Sequence, residues 1–347
     1  DYKIMIILTK RQMANIGKNF LPFSDAASRD LPLIQLLRLS LFQVSAGMAT
    51  VMLLGTLNRV MIVELGVQAS LVAVMVALPV LIAPLRALLG FRSDNHKSSI
   101  GWKRLPYIWF GTLWQFGGLA IMPFSMIVLS GDQTVGPAWA GEVLVALAFL
   151  MTGFGLHMTQ TAGLALAADR ATEATRPRVV ALLYLMFLLG MGLSAIVVGS
   201  LLINFSQFRL IQVIQAAAVI TLFLNLIAMW RQENVSPSTK AEIAAPRPKF
   251  LEAWRTFISK GYAGHLLMVV VLGTLAFSMQ DILLEPYGGE ILKLSVSATT
   301  VLTAVWVLGA VLGLALAAKG FRKKINPANF SALALIVGLL GFLQIIF

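Results

Sequence analysis

Nine stretches of this chain run uncharged for as long as a lipid bilayer requires. A membrane-crossing helix needs about 20 consecutive, mostly apolar residues. The segments 39–58, 65–85, 105–131, 143–168, 179–208, 210–230, 261–280, 294–318 and 325–347 lie between successive charged side chains, and each reaches that length. None shows the alternation of a strand, and open-edged or irregular backbone cannot face hydrocarbon. The expected fold is an all-α polytopic membrane protein with nine spans. Asn204-Phe205-Ser206-Gln207 interrupts the fifth stretch, so that helix is expected to stop near Ile203. Only 12% of the 347 residues are charged, half the share of about 25% usual in soluble chains. Soluble enzymes, disordered tails and disulfide scaffolds fit this poorly. The lack of Cys removes disulfides, thiolate metal sites and thiol catalysis together.

The basic residues are unevenly placed. Of 27 Lys and Arg, 24 lie in the N-terminal segment, at span ends on its side, or in connections 2–3, 4–5, 6–7 and 8–9; Arg59, Arg209 and Lys293 fall at the other end. By the positive-inside rule, the N-terminus and the even-to-odd loops are expected in the cytoplasm. The net charge of +12 is then a topogenic signal and calls for no nucleic acid. Residues 1–32 mix Lys3, Lys10, Arg11 and Lys18 with Ile, Met and Phe. That is the pattern of an amphipathic segment on the inner membrane surface, although a partly ordered tail fits it too. Residues 33–231 form a six-helix N-terminal half. A cytoplasmic linker, 232–260, carries Pro237, Pro246 and Pro248 among clustered charges, and 261–347 supplies the first three helices of a second half. Trp230 and Trp254 stand where aromatic interface anchors would.

The halves resemble one another. Leu65-Gly66-Val67-Gln68-Ala69-Ser70-Leu71-Val72 is matched 229 positions on by Leu294-Ser295-Val296-Ser297-Ala298-Thr299-Thr300-Val301, and Gly90-Phe91-Arg92 is matched 230 positions on by Gly320-Phe321-Arg322. Parallel repeats of this kind belong to two-half transporters; chance likeness between apolar segments is the alternative. Six spans before the linker and three after it imply nine spans of a twelve-span protein. The 2–3 connection, with Gly90, Asp94, Gly101, Lys103 and Arg104, resembles the signature loop of the major facilitator superfamily. Gly90 would permit a tight exit from its helix. Asp94 would accept hydrogen bonds from the next helix's first amides and pair with a basic residue. A merely solvated loop is the plainer reading.

Longer motifs narrow the resemblance. Leu57-Asn58-Arg59-Val60-Met61-Ile62-Val63-Glu64 closes span 1, and Gly101-Trp102-Lys103-Arg104-Leu105-Pro106-Tyr107 opens span 3. Gln160-Thr161-Ala162-Gly163-Leu164 lies near the end of span 4, and Gln280-Asp281-Ile282-Leu283-Leu284-Glu285-Pro286 ends span 7. Together they resemble the PucC/LhaA family of purple phototrophic bacteria, the bacteriochlorophyll-delivery branch of that superfamily. Leu21-Pro22-Phe23-Ser24-Asp25-Ala26 is similar to the LhaA-like members, which serve light-harvesting complex 1 rather than complex 2. The resemblance implies an assembly factor in the bacterial inner, photosynthetic membrane that brings bacteriochlorophyll to nascent light-harvesting α and β polypeptides around the reaction centre. Membrane lipids and the bacteriochlorophyll synthesis machinery are further implied partners; a carotenoid is not assigned.

Ionisable groups at membrane depth are functional candidates by default. Asp281 and Glu285 are four apart on one helical face, and Arg59 lies at the matching end of span 1. Arg59 is expected to pair with one of them and hold the halves together; a headgroup-level, solvated Arg59 and Glu64 is the alternative. His157, with Gln160 and Thr161, makes a polar stripe on span 4. Its imidazole could ligate a pigment magnesium, but a lone helix histidine more often bonds a neighbouring helix. Asn58, His157 and Gln160 are the pigment-binding candidates.

Three function classes remain to compare. A proton-coupled transporter of a small solute would use Asp281 or Glu285 as the carrier, yet the first six spans offer few converging polar groups. An enzyme acting on a diphosphate needs clustered carboxylates for magnesium. Asp169 and Glu173 are instead accompanied by Arg170, Arg176 and Arg178. No catalytic or metal-binding residue is assigned, and an assembly factor is the expectation.

Overall fold

Where lipid surrounds a chain, only helices satisfy the backbone from within. The computed structural model describes residues 26–28, 31–98, 100–130, 137, 139–233, 235–239, 246, 248–259, 261, 263–322 and 327–346. Within its helices the side chains of 277–281, 318–322, 327–328, 342 and 344–346 lie outside that description. The basic segment expected at 1–32 falls almost entirely outside it too. No strand occurs among the described residues.

Helices α1 (Leu33–Leu39) and α2 (Leu41–Thr50) continue through two wider π-helical windings, Val51–Leu57 and Val60–Glu64. The next rod joins α3 (Ala69–Leu81) and α4 (Leu85–Asp94). Four long helices follow: α5 (Leu105–Leu129), α6 (Ala140–Arg170), α7 (Arg176–Leu201) and α8 (Gln207–Met229). After the linker come α9 (Phe250–Ile258), α10 (Ala263–Glu290), α11 (Val296–Arg322) and α12 (Pro327–Ile346). Among the described residues, seven rods are long and apolar enough to cross a membrane. Joining α9 to the start of α10, across a 94° bend, would make an eighth, and the apolar part of α12 is Asn329–Gly341. The chain is thus a polytopic helical membrane protein.

Charge-free gaps understate helix length. The first rod runs from Leu33 to Glu64, past Arg38 and Arg59, and α10 runs on to Glu290. Gly90 does not mark a helix exit: α4 continues through it to Asp94. The Asn95 side chain closes that helix by donating to the Phe91 carbonyl at 2.9 Å. The linker, expected as a connection only, contains α9.

Small residues set the helix spacing, as expected where lipid supplies no hydrophobic drive between helices. A Cβ on Gly155 of α6 would stand 2.2 Å from the Gln115 amide nitrogen of α5, and one on Gly118 would stand 2.5 Å from that of Thr152. A Cβ on Gly47 of α2 would meet the Phe187 carbonyl of α7 at 2.5 Å, and one on Gly199 would meet Val301 of α11 at 3.0 Å. The first rod runs centrally, against α6, α7 and α8 on one side and α10 and α11 on the other. Met52, Leu57, Met61, Met75, Leu119, Met122 and Phe149 fill the core between them.

Candidate functional site

Arg104 sits where four segments meet. As the residue before α5 it is only 7% exposed, so its guanidinium must find partners within the protein. It pairs with Asp94 at the end of α4, donates Nε to Asp169 of α6 at 3.0 Å, and donates Nη1 to Ser93 at 2.5 Å. Burial disfavours its charge, but hydrogen bonds and attraction from Asp169 and Asp94 outweigh that and hold the group above its ordinary pKa. The paired-basic motif is therefore asymmetric: Arg104 turns inward and Lys103 remains exposed.

Asp94 does not cap α5. Glu233, from the linker, takes that role. Its carboxylate accepts from the amides of Lys103 at 2.8 Å, Arg104 at 3.1 Å and Leu105 at 3.0 Å. A helix N-terminus leaves these donors unsatisfied and favours negative charge. Asp94 loses the competition because Arg104 already engages it. Beyond Glu233, Ser236 donates its amide to the Gly101 carbonyl at 3.1 Å, and Ser238 donates to that of Ser98 at 2.9 Å. Gly101 has φ +97°, and a Cβ there would lie 2.6 Å from the Ser236 nitrogen, so glycine is required on both counts. Arg170 joins Gln232 at 2.6 Å to Gln35 of α1 at 2.7 Å. The linker's first residues thus strap the ends of α1, α5 and α6 together.

A second cluster lies toward the opposite end of the first rod. Arg59, 3% exposed, pairs with Glu64 at 2.5 Å, not with Glu285. The π-helical winding from Val60 to Glu64, with its i→i+5 hydrogen bonding, leaves Glu64 within reach of the long Arg59 side chain on the same rod. The side chain of Asp281 lies outside the described residues. Arg59 nevertheless reaches the later helices, donating Nη2 to the Leu294 carbonyl at 3.1 Å. Asn58 donates to the Leu54 carbonyl at 3.2 Å and the Ile282 carbonyl of α10 at 2.7 Å. Glu285, 1% exposed, accepts from Thr303 of α11 at 2.7 Å, while its Oε2 has no partner. Its carboxylate rests on the backbone of Gly55, where a Cβ would come within 2.2 Å of Oε1. Beside it, Gly55, Phe187, Met191, Thr303 and Trp306 line a cavity of about 180 Å³.

The stripe on α6 faces its neighbours. His157 Nε2 lies 2.8 Å from the Pro79 carbonyl. That carbonyl is free because the Ala83 amide turns to Val80 instead. With a carbonyl as partner, Nε2 carries the proton. Only Nδ1 then holds a lone pair; it is buried without a partner. One turn away, a Cβ on Gly153 would stand 2.4 Å from the Pro79 ring. No tetrapyrrole fits between α3 and α6 there. Gln160 donates to Gln43 at 3.1 Å, and Thr161 donates to the His157 carbonyl at 2.7 Å. All three pigment-binding candidates are thus engaged in helix contacts. The 180 Å³ cavity is also smaller than the ~300 Å³ at which small-ligand pockets begin.

Residues 56–347 match the sequence model of the family described as PUCC protein. The chain is 59% identical over 342 residues to a Rhodobacter capsulatus protein named "Uncharacterized protein in puhA-bchM intergenic region", covering 99% of this chain and 72% of that one. It is 50% identical over 341 residues to Protein PucC of Rhodovulum sulfidophilum, with coverage of 97% and 75%. A more distant relative is the Bacteriochlorophyll synthase 44.5 kDa chain of Rhodobacter capsulatus, 26% identical over 81% of this chain and 63% of that one. No solved structure matches the chain. The chain belongs to the PucC family, which is linked to light-harvesting assembly in photosynthetic purple bacteria.

Proposed function

We propose that this chain is an assembly factor for light-harvesting complex 1 around the reaction centre. It works in the inner, intracytoplasmic photosynthetic membrane with its N-terminus in the cytoplasm. The family match over residues 56–347 carries the reading. Identity of 59% to the puhA-bchM relative against 50% to the PucC protein supports the complex 1 client over complex 2. The concentration of Lys and Arg at one end of the bundle supports the orientation. Its clients are the nascent α and β polypeptides, reached through the lipid, with the reaction centre and the bacteriochlorophyll synthesis machinery as neighbours. Bacteriochlorophyll is the pigment handed on. It would meet the outer apolar faces of the helices, since neither His157 nor the internal cavity accommodates it.

Glu285 supports a second reading. A buried carboxylate with one free oxygen beside a cavity is the kind of group a proton-coupled solute transporter uses. No catalytic role is proposed: Asp94, Asp169 and Glu233 are engaged with Arg104 or with backbone amides. The deciding experiment is affinity purification of the full protein from phototrophic membranes in mild detergent. Bound α and β polypeptides with bacteriochlorophyll are the expected result. Protein free of both, yet driving proton-coupled uptake in liposomes, would overturn the assembly reading.

A further inference from the structure

We propose that the cleft where α9 meets the end of α4 and the start of α5 binds the phosphate of an anionic membrane lipid. The cleft has a volume of about 570 Å³ and is lined by Arg92, His96 and Lys97 together with Phe91, Tyr107 and Phe250, with no carboxylate among the described residues that line it. Asp94, the nearest acid in sequence, is paired with Arg104. Aromatic contacts build the frame. His96 stands edge-on to Tyr107 with ring centres 5.4 Å apart, and Phe91 stands edge-on to Phe250 at 5.5 Å. Arg92 is exposed.

One wall of the cleft begins α9, whose composition identifies the ligand's other half. Phe250, Leu251, Trp254, Phe257 and Ile258 share one face, and none of the helix is buried. Glu252, Arg255 and Thr256 take the opposite face. The rings of Phe250, Trp254 and Phe257 form a row with centres 6.0 and 6.1 Å apart. A short helix with a strongly apolar face and basic flanks lies in the plane of the headgroup boundary. Consistent with that, α9 is bent 94° from the start of α10. A free phosphate would use the cations alone. A lipid uses both the cations and the apolar face that continues from them.

The test is a titration of the purified full chain with short-chain phosphatidylglycerol, with phosphatidylcholine and inorganic phosphate as comparison ligands. Phosphatidylglycerol should bind, and neither comparison ligand should displace it at equal concentration. Each cation near an anionic surface is worth about 5-fold in affinity. R92Q should therefore weaken binding about 5-fold, and R92Q/K97Q should weaken it further. Equal affinity in wild type and the double variant would overturn the site, and full displacement by inorganic phosphate would assign it to a free anion instead. A second measurement does not depend on those variants. The chain has no native Cys, so nitroxide labels can be placed by L251C or E252C alone. In phosphatidylglycerol vesicles the label at 251 should be the more accessible to oxygen; the reverse order would refute the lipid contact.

Discussion

Replacing Asp94 and Asp169 by Asn, singly and together, tests whether Arg104 organises the end of the bundle. The two carboxylate side chains are 57% and 56% exposed, whereas that of Arg104 is only 9% exposed. Each acid is therefore partly solvated, and its bond to Arg104 is worth less than the ~1.5–3 kcal/mol typical of a charged hydrogen bond. Losing one leaves the other to neutralise the guanidinium. D94N or D169N alone should cost about 1 kcal/mol. Losing both strands a buried cation on the Ser93 hydroxyl. Breaking a buried pair costs ~3–5 kcal/mol, so the double variant should exceed the sum of the singles by about 1–3 kcal/mol. The assay is reversible unfolding in mixed detergent micelles, comparing all four proteins at one pH. Arg104 is held above its already high ordinary pKa, so the coupling should persist from neutral to mildly alkaline pH. Additivity within about 0.5 kcal/mol would show that Arg104 is not shared between the two acids.

Other outcomes follow from the same geometry. E233A should destabilise the protein by about 1–2 kcal/mol, as for loss of a helix cap, and should speed trypsin cleavage in the linker; unchanged cleavage would refute the strap. G155A places a Cβ 2.2 Å from the Gln115 nitrogen and should cost about 1–3 kcal/mol in the same unfolding assay. H157L should lose about 1–3 kcal/mol through the orphaned Pro79 carbonyl while leaving the purified protein's bacteriochlorophyll content unchanged. A folded H157L protein with less pigment would return the histidine to a ligand role. E285Q keeps an acceptor for Thr303 and should melt close to wild type, whereas E285L should melt lower because that hydroxyl then has no partner.

Helices were legible in the sequence because hydrocarbon permits little else: each apolar run maps onto a helix, though Arg38, Arg59 and Glu285 lie inside helices that charge-free gaps cut short. Arg104 was legible as part of a motif, and charge alone led to a basic partner for Asp94, though not to which one. Glu233 was not. It lies 128 positions beyond Leu105, whose amide it caps, in a linker whose composition reads as a connection. The Arg59–Glu64 pair was not legible for a different reason. Spacing arguments assume 3.6 residues per turn, and no residue type in Val51–Leu57 or Val60–Glu64 announces a wider winding. Once the helix widens, a side chain five positions on comes within reach of a long residue such as Arg59.

That pairing bears on function. With Arg59 paired to Glu64 on its own rod, Glu285 faces the later helices without a salt bridge to Arg59, bonded by the Thr303 hydroxyl and pressed on Gly55. Among the described residues the halves are joined there by hydrogen bonds without an ion pair between them: Asn58 to the Ile282 carbonyl, Thr56 beside Thr300 at 3.4 Å, and Arg59 to the Leu294 carbonyl. Side chain-to-carbonyl bonds of this kind are modest in membranes, about 0.6 kcal/mol on average. A contact made from several weak bonds can shift without stranding an ion. An assembly factor needs that property wherever client helices must dock and leave, and a rigid inter-half salt bridge would work against it.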